Sequence, residues 1–150
     1  MNYWLVKSPF RSRSWPHVLL QNIFKLYGIR NRQARNYIAQ MSTDDRALYY
    51  HSAAGRLVLG IMRVKAPAFP DPTSNNPEWL SVEFEPEITF EHPVAFEQLK
   101  CTDALRELKL FKQPRLSVMP LTEAEYLAIQ ELSVQKVLTD DEIAVVEERV

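Results

Sequence analysis

The chain has 150 residues, 46% of them hydrophobic and 25% charged, with a formal net charge of −1. That is long enough for one compact domain with a real core. No apolar run approaches the about 18 residues a membrane span requires, and Cys101 as the single cysteine excludes an intrachain disulfide or a multi-cysteine zinc site.

Tyr3 to Lys7, aromatic and β-branched, reads as a first strand stopped by Ser8-Pro9. This opening has neither the basic start nor the small-residue cleavage site of a signal peptide, which suggests a cytoplasmic protein. Ser14-Trp15-Pro16 begins a helix, with Ser14 as its cap, that is expected to run through Val18, Leu19 and Ile23 towards Leu26. Gly28 to Met41 is the most informative stretch. Ala34, Ile38 and Met41 recur at helical spacing, Asn31 is a fair N-cap, and Gly28 can bend the chain into the helix. Arg30, Arg32 and Arg35 lie at its start or off the apolar stripe. Such a helix start suits a phosphate or the polar edge of a base, although on this segment alone a solvated basic face is the commoner reading.

Arg46 to Ser52 and Leu57 to Lys65 read as strands joined by a short loop at Ala53-Ala54-Gly55. Ala66 to Pro77 reads as a loop, with Pro67, Pro70, Pro72 and Pro77 and no periodicity. Trp79 to Glu85 alternates, Pro86 is expected to end it, and Ile88 to Phe90 adds a further strand. Phe96 to Phe111 is helical in character with a break near Thr102, and Leu116 to Met119 is a last short strand. Thr122-Glu123-Ala124-Glu125 is a capping box that opens a helix through Leu132, and Thr139 to Glu142 repeats the device for a C-terminal helix. About six short strands with helices between them predict an α+β fold, a small, partly open β-barrel with flanking helices.

The near-zero net charge hides an asymmetry. Residues 1–65 carry 11 Lys and Arg against Asp44 and Asp45, a net of +9, whereas residues 66–150 carry 7 against 17 acids, a net of −10. Either a local positive surface meets a polyanion, or the two halves neutralise each other in the fold.

A catalytic site is hard to build from these residues. His51 and Ser52 are adjacent on a strand and point to opposite faces. His17, His51 and His92 lack metal-ligand spacing, and three glycines make no phosphate loop. Glu83, Glu85, Glu87 and Glu91 read as a solvated face, and Cys101 as a buried small hydrophobe. No cofactor, metal or catalytic residue is expected. Binding is better served: Trp15, Tyr27, Tyr50 and Trp79 sit near loops or strand ends, where rings can sandwich a planar base, although a Trp is more often core than cage. Trp4, inside the first strand, is assigned to the core.

The segments Tyr3–Ser8, Ser14-Trp15, Gly28–Asn36, Tyr49–Ser52, Gly60-Ile61, Phe69–Thr73, Trp79 and Pro114–Thr122 together resemble the EVE domain family, a branch of the PUA-like fold, in order and spacing from about residue 3 to 132. The resemblance implies an EVE domain over 1–132; residues 133–150 fall outside it and, from the second capping box, read as a helical extension. The resemblance also implies a non-catalytic reader of a modified base in DNA or RNA, similar to the YTH domains that hold a methylated adenine in an aromatic cage. By the family pattern, Lys7 and Ser8 lie beside the base, Leu26 and Tyr27 form one wall and Trp79 a second. Asn31 and Arg35 come from the helix, and Arg115 meets a phosphate. Trp15 completes the expected pocket, and Arg30 and Arg32 join the phosphate-binding rim.

Family members usually have Trp-Asp-Gly where this chain has Leu26-Tyr27-Gly28, so one cage ring is lost and an acid is replaced. Arg32 replaces a common Tyr, Pro9 a usual Glu, and Pro114 a usual Ser. Two alternatives stand beside the reader. One is a hydrolase of nucleotide or RNA metabolism of the ASCH type, whose Gly-x-Lys-x-x-Glu-x-Arg pattern this sequence lacks. The other is a degenerate interaction module that uses the C-terminal helix.

Overall fold

The computed structural model describes residues 1–8, 14–52 and 55–135. Seven strands form one mixed sheet: β1 (Tyr3–Ser8), β2 (Phe24–Leu26), β3 (Arg46–His51), β4 (Leu57–Val64), β5 (Phe69–Pro70), β6 (Leu80–Ala95) and β7 (Val118–Leu121). The order is β2-β6-β4-β3-β1-β7, with β5 pairing to the first residues of β6. Among the described residues, only β1 and β3 run parallel. The terminal strands β2 and β7 do not pair with each other, so the barrel is partly open, as expected from the sequence.

The helices are α1 (Trp15–Gln21), α2 (Arg32–Ala39), α3 (Phe96–Lys100), α4 (Lys109–Lys112) and α5 (Glu123–Val134), with a 3-10 turn at Asp103–Leu105 between α3 and α4. That turn follows the predicted break at Thr102. Two caps are as the sequence predicts. Asn31 Oδ1 accepts from the Ala34 amide at 2.9 Å to start α2. At α5, Thr122 Oγ1 accepts from Glu125 N at 3.1 Å while Glu125 Oε1 accepts from Thr122 N at 2.8 Å.

The sheet departs from expectation in four places. First, α1 stops at Gln21 because Asn22 takes a left-handed conformation (φ 57°), and the chain re-emerges as β2. Phe24 and Leu26 are buried there, while Lys25 between them is exposed. Second, Pro86 does not end its strand: β6 runs on for 16 residues. Pro86 lies opposite Met62, where the β4–β6 register shifts, and a second shift between Val58 and Gly60 bends the strand again. A proline lacks an amide donor and is tolerated at such irregular pairings. Third, the proline-rich segment contributes β5, whose two residues lie opposite Ser81 and Leu80. Fourth, the last strand begins two residues later than expected, at Val118, with Pro120 on the edge strand β7.

The core is continuous and takes in Trp4, Trp15, Phe24, Tyr49, Phe84 and Leu26. Trp4 is 2% exposed, and its indole nitrogen donates to Asp45 Oδ2 at 3.0 Å. Cys101 is exposed at the end of α3 rather than buried, because α3 stops after five residues and turns the chain outward. The predicted C-terminal helix over Thr139 to Glu142 and beyond lies outside the described residues.

Candidate functional site

The turn into α2 is held by a carboxylate from the proline-rich segment. Gly28 takes a positive φ of 82°, and its amide donates to Asp71 Oδ2 at 2.8 Å. Arg30 Nη1 donates to the same oxygen at 2.8 Å, while the Thr73 amide and hydroxyl donate to Asp71 Oδ1 at 2.8 and 2.7 Å. The Asp71 side chain is fully buried. Burial opposes its ionisation, but Arg30, Thr73 and Gly28 outweigh it and hold the carboxyl well below the usual carboxylate range. The loop bearing Trp79 is thereby fastened to the helix bearing Arg32 and Arg35.

Around this clamp the three arginines are paired. Arg32 and Arg35 both bond Glu78 Oε1, Arg35 at 2.9 Å. The guanidinium carbons of Arg30 and Arg32 lie 5.6 and 6.0 Å from the centre of the Trp79 ring. Trp79 is half-buried, and the ring quadrupole attracts both of these cations. Tyr27 donates to Glu83, and its ring meets Phe69 edge to face at 6.0 Å.

The other expected site residues fall into two groups. Trp15, Leu26 and Ser8 are all at most 3% exposed. Trp15 leans on Tyr49 at 5.0 Å and donates to Thr89 Oγ1 at 2.9 Å, so its ring serves the core. Burial raises the pKa of the neighbouring Tyr49 hydroxyl, and its hydrogen bond with Ser8 only partly offsets this. Asn31 and Arg115 come together: with Gln33, Gln113, Pro114 and Leu116 they line an open cleft of about 340 Å³ between the start of α2 and the segment before β7. Lys7 reaches the same segment from the far side, where Nζ donates to the Pro114 carbonyl at 2.7 Å, and burial lowers its pKa.

Among the described residues, part of the charge asymmetry is resolved by pairs between the two halves. Arg46 pairs with Glu87, Arg56 with Glu97, and Arg63 with Asp44 and Glu85. The Glu83, Glu85 and Glu87 series is therefore not a plain solvated face; each member takes a partner from the basic half. Arg115 has no ion-pair partner among the described residues.

Sequence reasoning missed Asp71 and Glu78 as organisers and Gln33 and Gln113 as cleft residues. Asp71 carried one local signal: an Asp two residues before Thr, between prolines, is disposed to an Asx turn. Its partners Gly28 and Arg30 lie more than 40 residues away in sequence, where no local pattern reaches.

A partly open mixed barrel, with a capped helix and an aromatic-bearing loop clamped over one end, defines a protein of the PUA-like class. The chain belongs to the EVE domain family, whose model matches residues 2–132. Mouse thymocyte nuclear protein 1 is 29% identical over an alignment covering 83% of this chain and 70% of that protein. The structure of human THYN1 in complex with DNA containing 5-methylcytosine superimposes with a TM-score of 0.84 at 26% identity, covering 91% of this chain and all of that one. The YTH domain of Zygosaccharomyces rouxii MRB1 shares the fold at a TM-score of 0.57 and 12% identity, covering 92% of this chain and 91% of that chain. Among the described residues, no helix is long and apolar enough to cross a membrane, and no group of His, Cys, Asp and Glu is arranged to hold a metal ion.

Proposed function

We propose that this chain is a non-catalytic reader that takes one modified base of DNA or RNA at the end of the barrel where α2, the Trp79 loop and the Gln113–Leu116 segment meet. Trp79 offers the stacking face, Tyr27 borders it, and Asn31 and Lys7 supply polar contacts near the base. Arg30, Arg32, Arg35 and Arg115 face the backbone. Trp15, Leu26 and Ser8 act from behind, as the packed floor that keeps the site in shape. The observation that carries this reading is the cleft that Asn31 and Arg115 line at the start of α2, the helix whose entry the Asp71 clamp fastens to the Trp79 loop. The likeness to human THYN1, which was captured with 5-methylcytosine DNA, supports it.

The cleft's chemistry suits recognition. Asn31, Gln33 and Gln113 are amides, able to donate and accept along a base edge without ionising. A flipped base gains stacking worth about 1–3 kcal/mol per ring, and an extra methyl adds about 0.8 kcal/mol when buried. A cytoplasmic placement belongs to this reading.

The test is a binding screen of modified and plain mononucleotides and short oligonucleotides at two salt concentrations. Trp79→Ala should abolish the preference for the modified base, and Arg35→Ala should weaken all sequences alike. Discrimination that survives Trp79→Ala would sink the assignment.

A further inference from the structure

A second cavity, of about 250 Å³, shares Pro114 as a lining residue with the Asn31–Arg115 cleft. Its lining brings together three cations, Lys7, Arg56 and Lys100, over an apolar floor that includes Phe96 and Phe111. These side chains come from the end of β1, the residue before β4, and α3 and α4, so the fold rather than the sequence assembles them. The two phenylalanines meet edge to face at 5.4 Å. Arg56 lies with its guanidinium carbon 4.3 Å from the Phe96 ring centre and Lys100 with Nζ at 5.5 Å, so one ring positions both charges. Among the described residues, the acid that pairs with this group is Glu97, which bonds Arg56 at 2.8 Å from an exposed position. Lys7 is half-buried and spends its hydrogen bond on the Pro114 carbonyl, the ridge shared by both cavities.

We infer that this second cavity is a subsite for the phosphodiester next to the recognised base, with Arg56 and Lys100 on the phosphate, Lys7 between that phosphate and the base, and Phe111 and Pro114 against the adjoining sugar or base. The inference rests on the reader role and extends it, because a strand crossing the Pro114 ridge would occupy both cavities with successive nucleotides. Three cations converging around one exposed acid leave a positive surplus that a phosphate complements, and the apolar floor strengthens each charge contact by excluding water. Arg115, next to Pro114 in the chain, adds a cation in the neighbouring cleft.

The experiment compares wild type with the Arg56→Gln/Lys100→Gln double variant, using a mononucleotide and a trinucleotide that carry the same modified base, plus an unmodified oligonucleotide across a salt series. In wild type, affinity rises from mononucleotide to trinucleotide. In the double variant that gain should shrink about tenfold, and the salt dependence should flatten by about 0.7 in slope for the lost phosphate contact. Arg56→Lys, which keeps the charge, should retain most of the slope, and thermal melts report whether each variant folds. Should oligonucleotides bind with base discrimination while the double variant keeps both the length-dependent gain and the slope, the subsite is wrong and the reader role stands. Should they bind with no discrimination but lose slope in the variant, the subsite stands and the base-reading role fails. No binding of any oligonucleotide by wild type overturns both.

Discussion

Gly28 and Asp71 are joined by a hydrogen bond of 2.8 Å from the glycine amide to a carboxylate that is itself fully buried. That bond ties the turn that aims α2 to the segment that carries Trp79, and it does so at a backbone position (φ 82°) where a side chain would be strained. Both faces of the candidate base site therefore depend on one acid.

Replacing Asp71 by Asn tests this. Each carboxylate oxygen accepts from two donors, so either orientation of an amide sets its NH2 group against donors. Breaking a buried pair costs about 3–5 kcal/mol, and the lower end applies because Arg30 is 40% exposed and can turn to water. The pH dependence has a definite sign. The folded carboxyl is held below its ordinary value, so its contribution is complete at neutral pH. It fades as pH drops below about 4, where the unfolded chain takes up the proton first. Urea midpoints at pH 7 and pH 3 should differ less for Asp71→Asn than for wild type. An equal difference in the two proteins would mean that Asp71 is not the group responsible.

What the sequence disclosed and what it withheld divide along physical lines. The Asn31 cap, the Thr122 capping box and the break near Thr102 are local, set by residues within one turn of each other, and all are found where expected. The strand β2 was hidden because Val18, Leu19, Ile23 and Leu26 fit a helical period; the left-handed Asn22 that breaks it gives no hydrophobic signal. Pro86 misled for the opposite reason: a strong local breaker was absorbed by a long-range register shift against β4. The charge asymmetry was visible but its meaning was not, since Arg35–Glu78 and Arg46–Glu87 each join residues about 40 positions apart. At the candidate site, the arginines and Trp79 were legible as residue types. Their attachment to Asp71 and Glu78, and the burial of Trp15 and Leu26, depend on tertiary placement alone.

Gly60 offers a second test, directed at the core behind the site. A Cβ added there would lie 2.4 Å from the Ile88 carbonyl oxygen and 2.4 Å from Trp15 Cζ2. Neither can retreat freely, because one is backbone in β6 and the other is a buried ring bonded to Thr89. Gly60→Ala should therefore destabilise by about 1–3 kcal/mol through overpacking. In a Trp15→Leu background the added cost should shrink but not vanish, since the Ile88 carbonyl remains. A double-mutant cycle by chemical denaturation measures the coupling, and strictly additive costs would show that Trp15 does not sense position 60.

Glu78 decides how much positive charge the site shows to a polyanion. Its Oε1 is the shared partner of Arg32 and Arg35, so two guanidinium groups at the start of α2 are held by one acid. Arg32 is 71% exposed and Arg35 20%, which makes Arg32 the readier of the two to exchange this bond for a phosphate. A nucleic acid arriving here must displace the carboxylate, and its repulsion opposes binding until then. Glu78→Gln removes that charge while keeping an acceptor for Arg35. Taking about 1 kcal/mol for unit charges near 4 Å in water, oligonucleotide affinity at low salt should rise about fivefold. The salt dependence should steepen by about 0.7 for a newly available contact on a single strand. Fluorescence anisotropy over a salt series reads both quantities. Unchanged affinity and slope would place the backbone path away from α2 and leave Arg32 and Arg35 as fasteners of the Trp79 loop.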